Sequence, residues 1–283
     1  MIHKIVLFLS RLLQTAKAVR KCWRNGGVTT VHISQINYGG ILRGKRVLVT
    51  GGSSGIGLAI AKKCLSEGAL VVITGRNEGK LQTAERELNN PSLKTLVWDV
   101  SDIPVINQKL TECKSLLEGE INILVNNAGV LIAQSFFTAT EAVWDKTYAV
   151  NSKGVFFLTQ GLTEMWIKNK QQGKIINISS TGGFLAAPYP YRMTKWDIVG
   201  MTTGLGATLS QYGIIVNGIA PGRIATEMLN RDASGNIFDA VQPVERMGHP
   251  AEIAELAVFL MSDAANYIVG QTIICDGGYT LKV

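Results

Sequence analysis

From residue 46 onward the chain alternates short apolar runs with helical stretches, and that alternation leaves few folds open. The runs at 46–50, 70–74, 95–99, 121–125, 174–178, 214–219 and 272–275 are rich in Val, Ile and Leu. Most lack polar alternation, as strands buried on both faces must. Helical segments fall between them, among them 56–66, 78–88, 104–117, 141–168, 191–211 and 251–261. Strand–helix repetition with short turns predicts an α/β fold in three layers, a doubly wound parallel sheet of about seven strands.

The 283 residues suit one large domain plus an appendage, divided here as an extension and linker over 1–44 and a body over 45–283. The net charge of +7 raises the question of nucleic acid, but its distribution answers against it. Lys4, Arg11, Lys17, Arg20, Lys21 and Arg24 lie in the first 24 residues with no acidic neighbour, and setting them aside leaves about +1. No zinc-finger spacing or RNA-binding aromatic motif accompanies them, so no nucleic-acid partner is expected. The four cysteines (Cys22, Cys64, Cys113, Cys275) form no CxxC pair. Neither a disulfide framework nor a metal site is expected, and a reducing cytoplasm is the simplest location.

Ile5, Phe8, Leu9, Leu12, Ala16, Val19 and Trp23 recur at helical spacing, with Lys17, Arg20, Lys21 and Arg24 on another face. Arg11 interrupts the apolar run well short of the roughly 18–20 residues of a membrane span. Two readings stand. This amphipathic helix lies in an anionic membrane interface as a peripheral contact through residues 1–24, or it packs on protein. The stretch 25–44 reads as a connector, with an optional short edge strand at 28–33.

The stretch TGGSSGIG at 50–57 follows directly on the first strand and opens a helix. Gly51 suits the tight turn out of the strand, Gly55 a close backbone approach to a pyrophosphate, and Gly57 helix-to-sheet packing. Ser53, Ser54 and Ile56 complete the loop, whose helix N-terminus turns free N–H groups toward phosphates. This is the dinucleotide cradle of a Rossmann fold. An NAD site usually places a carboxylate at the end of the second strand, for the ribose 2′-hydroxyl. Here Gly75 and Arg76 stand there, and a guanidinium suits a 2′-phosphate, which favours NADP(H) over NAD(H). Asp99 and Val100 end the third strand, where a carboxylate and a backbone N–H suit an adenine ring.

In order along the chain stand TGxxxGIG at 50–57, NNAG at 126–129, Asn151, Ser180, Tyr191 with Lys195 four residues on, and Pro221–Gly222 with Thr226. This ordered set, closed by DGGY at 276–279, resembles the single-domain form of the short-chain dehydrogenase/reductase family from about residue 42 onward. The resemblance implies that Asn126 is structural, whereas Asn127, Ala128 and Gly129 border the cofactor. It also implies that Pro221, Gly222, Ile224 and Thr226 wall the nicotinamide, and that Asn151 serves a water-mediated proton relay through Lys195.

Tyr191 and Lys195 share a helix face. A free tyrosine loses its proton near pH 10, so the lysine and a cationic nicotinamide are expected to lower that value. Tyr191 then exchanges a proton with a carbonyl or alcohol oxygen while NADP(H) exchanges hydride, Lys195 holds the ribose, and Ser180 binds the substrate oxygen. Ser179 is the alternative serine. Tyr189 is expected in the substrate pocket, with the segments 184–189 and 223–247. Met228, Leu229, Ile237 and Phe238 suggest a partly apolar substrate there; Arg231 and Arg246 suit an anionic group or solvent. The expected activity is NADP(H)-dependent oxidation of a small-molecule alcohol or reduction of a carbonyl, in a homodimer or homotetramer. Trp144, Phe156, Phe157 and Trp166 are expected in the core or at that interface. A catalytically quiet NADPH-binding scaffold at a membrane, and a sugar-nucleotide epimerase or dehydratase, are the rival readings.

Overall fold

The computed structural model describes residues 12, 13, 15–17, 19, 20, 31, 33, 35–132 and 134–281. Seven parallel strands run β1 (Arg46–Val49), β2 (Leu70–Gly75), β3 (Leu93–Val97), β4 (Ile123–Asn126), β5 (Gly173–Ile178), β6 (Ile214–Pro221) and β7 (Thr272–Cys275). Their order in the sheet is β3-β2-β1-β4-β5-β6-β7. The order reverses between β1 and β4, and ligands of such sheets bind at the carboxyl ends beside that switch point.

Both sheet faces are covered because successive strand residues point to opposite sides. Val47 and Val49 of β1 enter one apolar layer with Ile60 and Cys64 of α1 (Gly55–Ser66) and Ile253 and Leu260 of α7 (Pro250–Met261). Leu48 between them enters the other. That second layer holds Leu110 of α3 (Ile106–Leu116), Leu158 and Trp166 of α5 (Val155–Lys168) and Leu209 of α6 (Pro190–Leu209). The expected three-layer, doubly wound architecture is therefore present.

Local signals set the helix starts. Asn77 caps α2 (Glu78–Leu88) by accepting from the Lys80 amide at 2.9 Å, and Thr140 caps α4 (Glu141–Tyr148). His249 and Glu252 form a reciprocal capping box at α7.

Two expectations change. The single helix expected over 141–168 is two helices, α4 and α5, joined by a π-helical turn at Ala149–Gly154. The edge strand expected at 28–33 is absent at Val31 and Ile33, the residues of that stretch that are described. Trp166 is fully buried and donates from Nε1 to the Ile121 carbonyl, whereas Trp144 and Phe156 remain 41% and 43% exposed.

Of the extension, Leu12, Leu13, Thr15, Ala16, Lys17, Val19 and Arg20 are helical and exposed. The rest of its apolar stripe, Ile5, Phe8, Leu9 and Trp23, lies outside the described residues, as do Lys4, Arg11, Cys22 and positions 25–30, 32 and 34 of the connector. Among the described residues no helix is long and apolar enough to cross a membrane, and no acidic, Cys or His cluster could hold a metal.

Candidate active site

A cleft of about 970 Å³ opens at the carboxyl ends of the strands, at the switch point. Its floor is stitched from β1 and β4. The Thr50 hydroxyl donates to the Val125 carbonyl (3.1 Å) and accepts from the amides of Asn127 (3.0 Å) and Ala128 (3.1 Å). Asn127 returns two bonds, from Nδ2 to the carbonyls of Thr50 and Gly51, each 2.9 Å. Gly51 has φ +63°, and a Cβ there would stand 2.8 Å from the Ala128 Cα. At Gly57 a Cβ would come within 2.4 Å of the Gly51 carbonyl oxygen. Only glycine permits so close an approach of loop and helix.

Helix α1 starts in this floor. Ser54 occupies its N-cap position with extended backbone but makes no side-chain cap bond. Ser53, Ser54, Gly55 and Ile56 line the cleft, so the unpaired first-turn amides belong to its wall. The polar side chains expected at the far end stand there too. Arg76 Nη1 lies 3.8 Å from Asp99 Oδ2, with both groups substantially exposed, so the pair holds the arginine only weakly. Val100 lines the wall beside them.

Across the cleft β5 runs out into Ser179 and Ser180, and α6 brings up Tyr191 and Lys195. The two serines do different work. Ser179 is buried and its hydroxyl donates to the Lys195 carbonyl at 2.8 Å, tying α6 to β5. Ser180 accepts from the Gly182 amide at 3.1 Å and is hydrogen-bonded to Tyr191. Burial raises the Tyr191 pKa above its ordinary value, and the Ser180 bond pulls it back only in part. The lowering expected from the sequence is therefore not a property of the protein groups alone. Lys195 feels burial as well, which brings its pKa down to about 8. Its ammonium donates to the Ile178 carbonyl (3.0 Å) and lies 5.7 Å from the centre of the Tyr191 ring.

Asn151 sits in the π-helical turn, buried, and does not line the cleft. Its side chain accepts from the Val130 amide (2.8 Å) and donates to the Val130 carbonyl (2.9 Å) and to Thr194 (3.3 Å). It thus holds the irregular segment that leaves β4 through NNAG and has no direct bond to Lys195 among the described residues. Asn126 does structural work too, donating to Thr159 and to Asn177, each at 2.9 Å.

Pro221, Gly222, Ile224 and Thr226 form the wall beyond β6, and Ala128 and Gly129 line the floor opposite. Every residue expected at the cofactor lines this cleft except Gly57, which packs beneath the loop.

The segment 51–280 matches the family described as enoyl-(acyl carrier protein) reductase. The chain belongs to the short-chain dehydrogenase/reductase family. This family member is 36% identical over 250 residues to gluconate 5-dehydrogenase of Gluconobacter oxydans, covering 86% of the chain and 97% of that protein. To the NADP-dependent (R)-specific alcohol dehydrogenase of Lentilactobacillus kefiri it is 36% identical over 251 residues, 85% and 98% of the two chains. A solved gluconate 5-dehydrogenase of Burkholderia cenocepacia, in complex with NADP and tartrate, superposes with a TM-score of 0.77 at 35% identity. That match covers 86% of this chain and 97% of the other.

For this short-chain dehydrogenase/reductase the sequence reading missed two charged side chains of the cleft. Lys80 lines the wall near Arg76, and its ammonium meets both carboxylate oxygens of Glu227 at 2.7 Å. Arg192 lines the cleft next to Tyr191, lies over the Tyr189 ring and donates to the Ala186 carbonyl at 2.8 Å. Nothing local distinguishes Lys80 from a solvated helix lysine; Arg192 is adjacent to Tyr191, which was the available signal. Tyr189, Met228 and Leu229 line the cleft as expected, but Ile237 turns inward and Phe238 does not reach it. Arg246 is taken up by both oxygens of Glu252, and Arg231 is exposed outside the cleft.

Proposed function

We propose that this chain is an NADP(H)-dependent oxidoreductase that interconverts a secondary alcohol and a carbonyl, with Tyr191 as general acid and base. The observation that carries the reading is one continuous cleft. It has an uncapped helix start and Arg76 at one end, and the Ser180–Tyr191 pair beside Lys195 at the other.

The residues present fit a phosphorylated dinucleotide. Uncapped amides at the start of α1 suit a pyrophosphate, with Gly51, Ser53, Ser54, Gly55 and Ile56 around it. Arg76 presents a guanidinium where a carboxylate would select the unphosphorylated ribose, and Asp99 and Val100 offer an acceptor and a donor for adenine. Asn127, Ala128, Gly129, Pro221, Gly222, Ile224 and Thr226 enclose the nicotinamide end.

Bound NADPH supplies the hydride in reduction. The chain's own groups manage the proton. Ser180 accepts from Gly182, so its single hydroxyl proton is donated either to the tyrosine oxygen or, once substrate is bound, to the substrate oxygen. Tyr191, held protonated by burial, gives its proton to the developing alkoxide; in the reverse direction it must first lose it. Lys195 holds the ribose, and its charge favours the phenolate as the proton leaves. Asn151 acts as a positioning residue, through Val130 and Thr194.

Calorimetry tests the reading. Wild type is expected to bind NADPH at least about tenfold more tightly than NADH, and Arg76→Ala to erase most of that preference, since a charge-assisted bond to phosphate is worth about 1.5–3 kcal/mol. Binding of neither dinucleotide would remove the oxidoreductase proposal; an undiminished preference in Arg76→Ala would remove the role of Arg76.

A further inference from the structure

The described connector residues run against the body at two places. At the first, Lys63 and Glu67 of α1 are each 2% exposed and bonded to one another at 2.9 Å, with Glu255 of α7 3.2 Å from the same ammonium. A buried pair of this kind needs its remaining donors and acceptors satisfied. The connector satisfies them. The amides of Tyr38 (3.2 Å) and Gly40 (3.1 Å) donate to the two Glu67 oxygens, Lys63 donates to the Ile36 carbonyl, and the Tyr38 ring lies 5.1 Å from the ammonium. Residues 36–40 are thereby pinned to the layer formed by α1 and α7.

At the second place Val31 packs against a small separate cluster made of Ala225, Ile237 and Met247. These three are at most 2% exposed, and none lines the cleft. Yet Ala225 stands between Ile224 and Thr226, which both do. Val31 is therefore a partner on the back of the segment whose front walls the site. Besides the exposed Lys80–Glu227 pair and the bond from the Gly222 amide to the Cys275 carbonyl, the loop is held by its own bonds. The Ala225 amide donates to the Gly248 carbonyl (2.9 Å), the Met247 amide to the Ile237 carbonyl (2.8 Å), and Arg223 pairs with Asp239 at 2.6 Å. A three-residue nucleus buries little apolar surface alone, so an added valine is a sizeable share of it.

We infer that the connector is an intramolecular brace: anchored at Lys63 and Glu67, it presses Val31 onto the back of the loop 222–249 and fixes the cleft wall at Ile224 and Thr226. Val31 is thus a positioning residue, although it precedes the family match, which begins at residue 51. The consequence for cofactor affinity rests on the nicotinamide reading above; the consequence for loop motion does not.

The test is amide exchange on the full chain, without cofactor, for wild type, Val31→Asp, Val31→Ala and, as a control in the extension, Leu12→Asp. Local opening of a loop speeds exchange of its own amides and leaves the sheet unchanged. The expected result is exchange at Ala225 and Met247 about tenfold faster in Val31→Asp, with the amides of β4 and β5 and the control unaltered. Val31→Ala should show the same pattern more weakly, which keeps the test open should the aspartate variant misfold. NADPH affinity should fall about threefold or more in parallel. Unchanged exchange at Ala225 and Met247 in both variants, or faster exchange across the sheet, would overturn the brace. Loosened loop amides with no NADPH binding even in wild type would leave the brace standing and sink the cofactor reading instead.

Discussion

Adjacent residues in this site have opposite duties, and single substitutions separate them. Ser179→Ala removes the bond that ties α6 to β5 but leaves Ser180 facing Tyr191, so turnover should persist while stability drops by about 1 kcal/mol. Ser180→Ala removes the group beside the reacting oxygen, and kcat should fall about 10²-fold with little change in melting. The reverse pattern would make Ser179 the catalytic serine. Lys195 makes a second prediction. Burial lowers its folded pKa to about 8 against an ordinary 10.5, so between those values the unfolded chain binds more protons than the folded one. Stability carried by this group is therefore lost as pH falls through about 8 and recovered as pH rises toward 10.5. The melting temperature of wild type, measured without cofactor over that range, should rise relative to that of Lys195→Met; parallel curves would show that Lys195 is not desolvated. The sequence made Tyr191, Lys195 and the glycines legible because each answers a local demand of spacing or backbone. Lys80 and Arg192 were hidden because the loops decide where an ordinary cation points.

Strand and helix existence was readable from apolar patterning, since a doubly covered parallel sheet demands it. The π-helical turn was not. Residues 141–168 carry an uninterrupted helical pattern, and the extra residue in the turn is held by a bond from outside it, where Asn151 reaches the backbone of Val130. Such turns recur at functional sites. Here the turn aims one side chain both at the segment leaving β4 and at Thr194, next to Lys195. Asn151→Ala would strand the Val130 amide and carbonyl in a half-buried setting, for an expected loss of about 2 kcal/mol in urea unfolding. Because Val130 lines the cleft, NADPH affinity should fall with it. A variant as stable and as tightly bound as wild type would show that the turn is set by packing alone.

At the scale of the whole molecule, the body is nearly neutral and the first 24 residues carry six basic side chains and no acidic one. In the described part of that helix Leu12, Leu13 and Val19 are 52%, 60% and 58% exposed, with Lys17 and Arg20 exposed beside them. A helix packed on its own body would bury such leucines. Exposed apolar and basic groups together suit an anionic lipid surface, where each basic residue contributes about 1 kcal/mol and the apolar side chains add burial. The full chain should therefore float with vesicles containing phosphatidylserine at low salt, and release at about 1 M salt, where the Debye length falls to about 3 Å. Leu12→Glu with Val19→Glu should abolish flotation without altering NADPH binding, because neither residue lies near the cleft. Flotation that survives both substitutions, or that never occurs, would assign the exposed face to a protein partner, and a change in oligomeric mass on making the same two substitutions would identify that partner as a second copy of the chain.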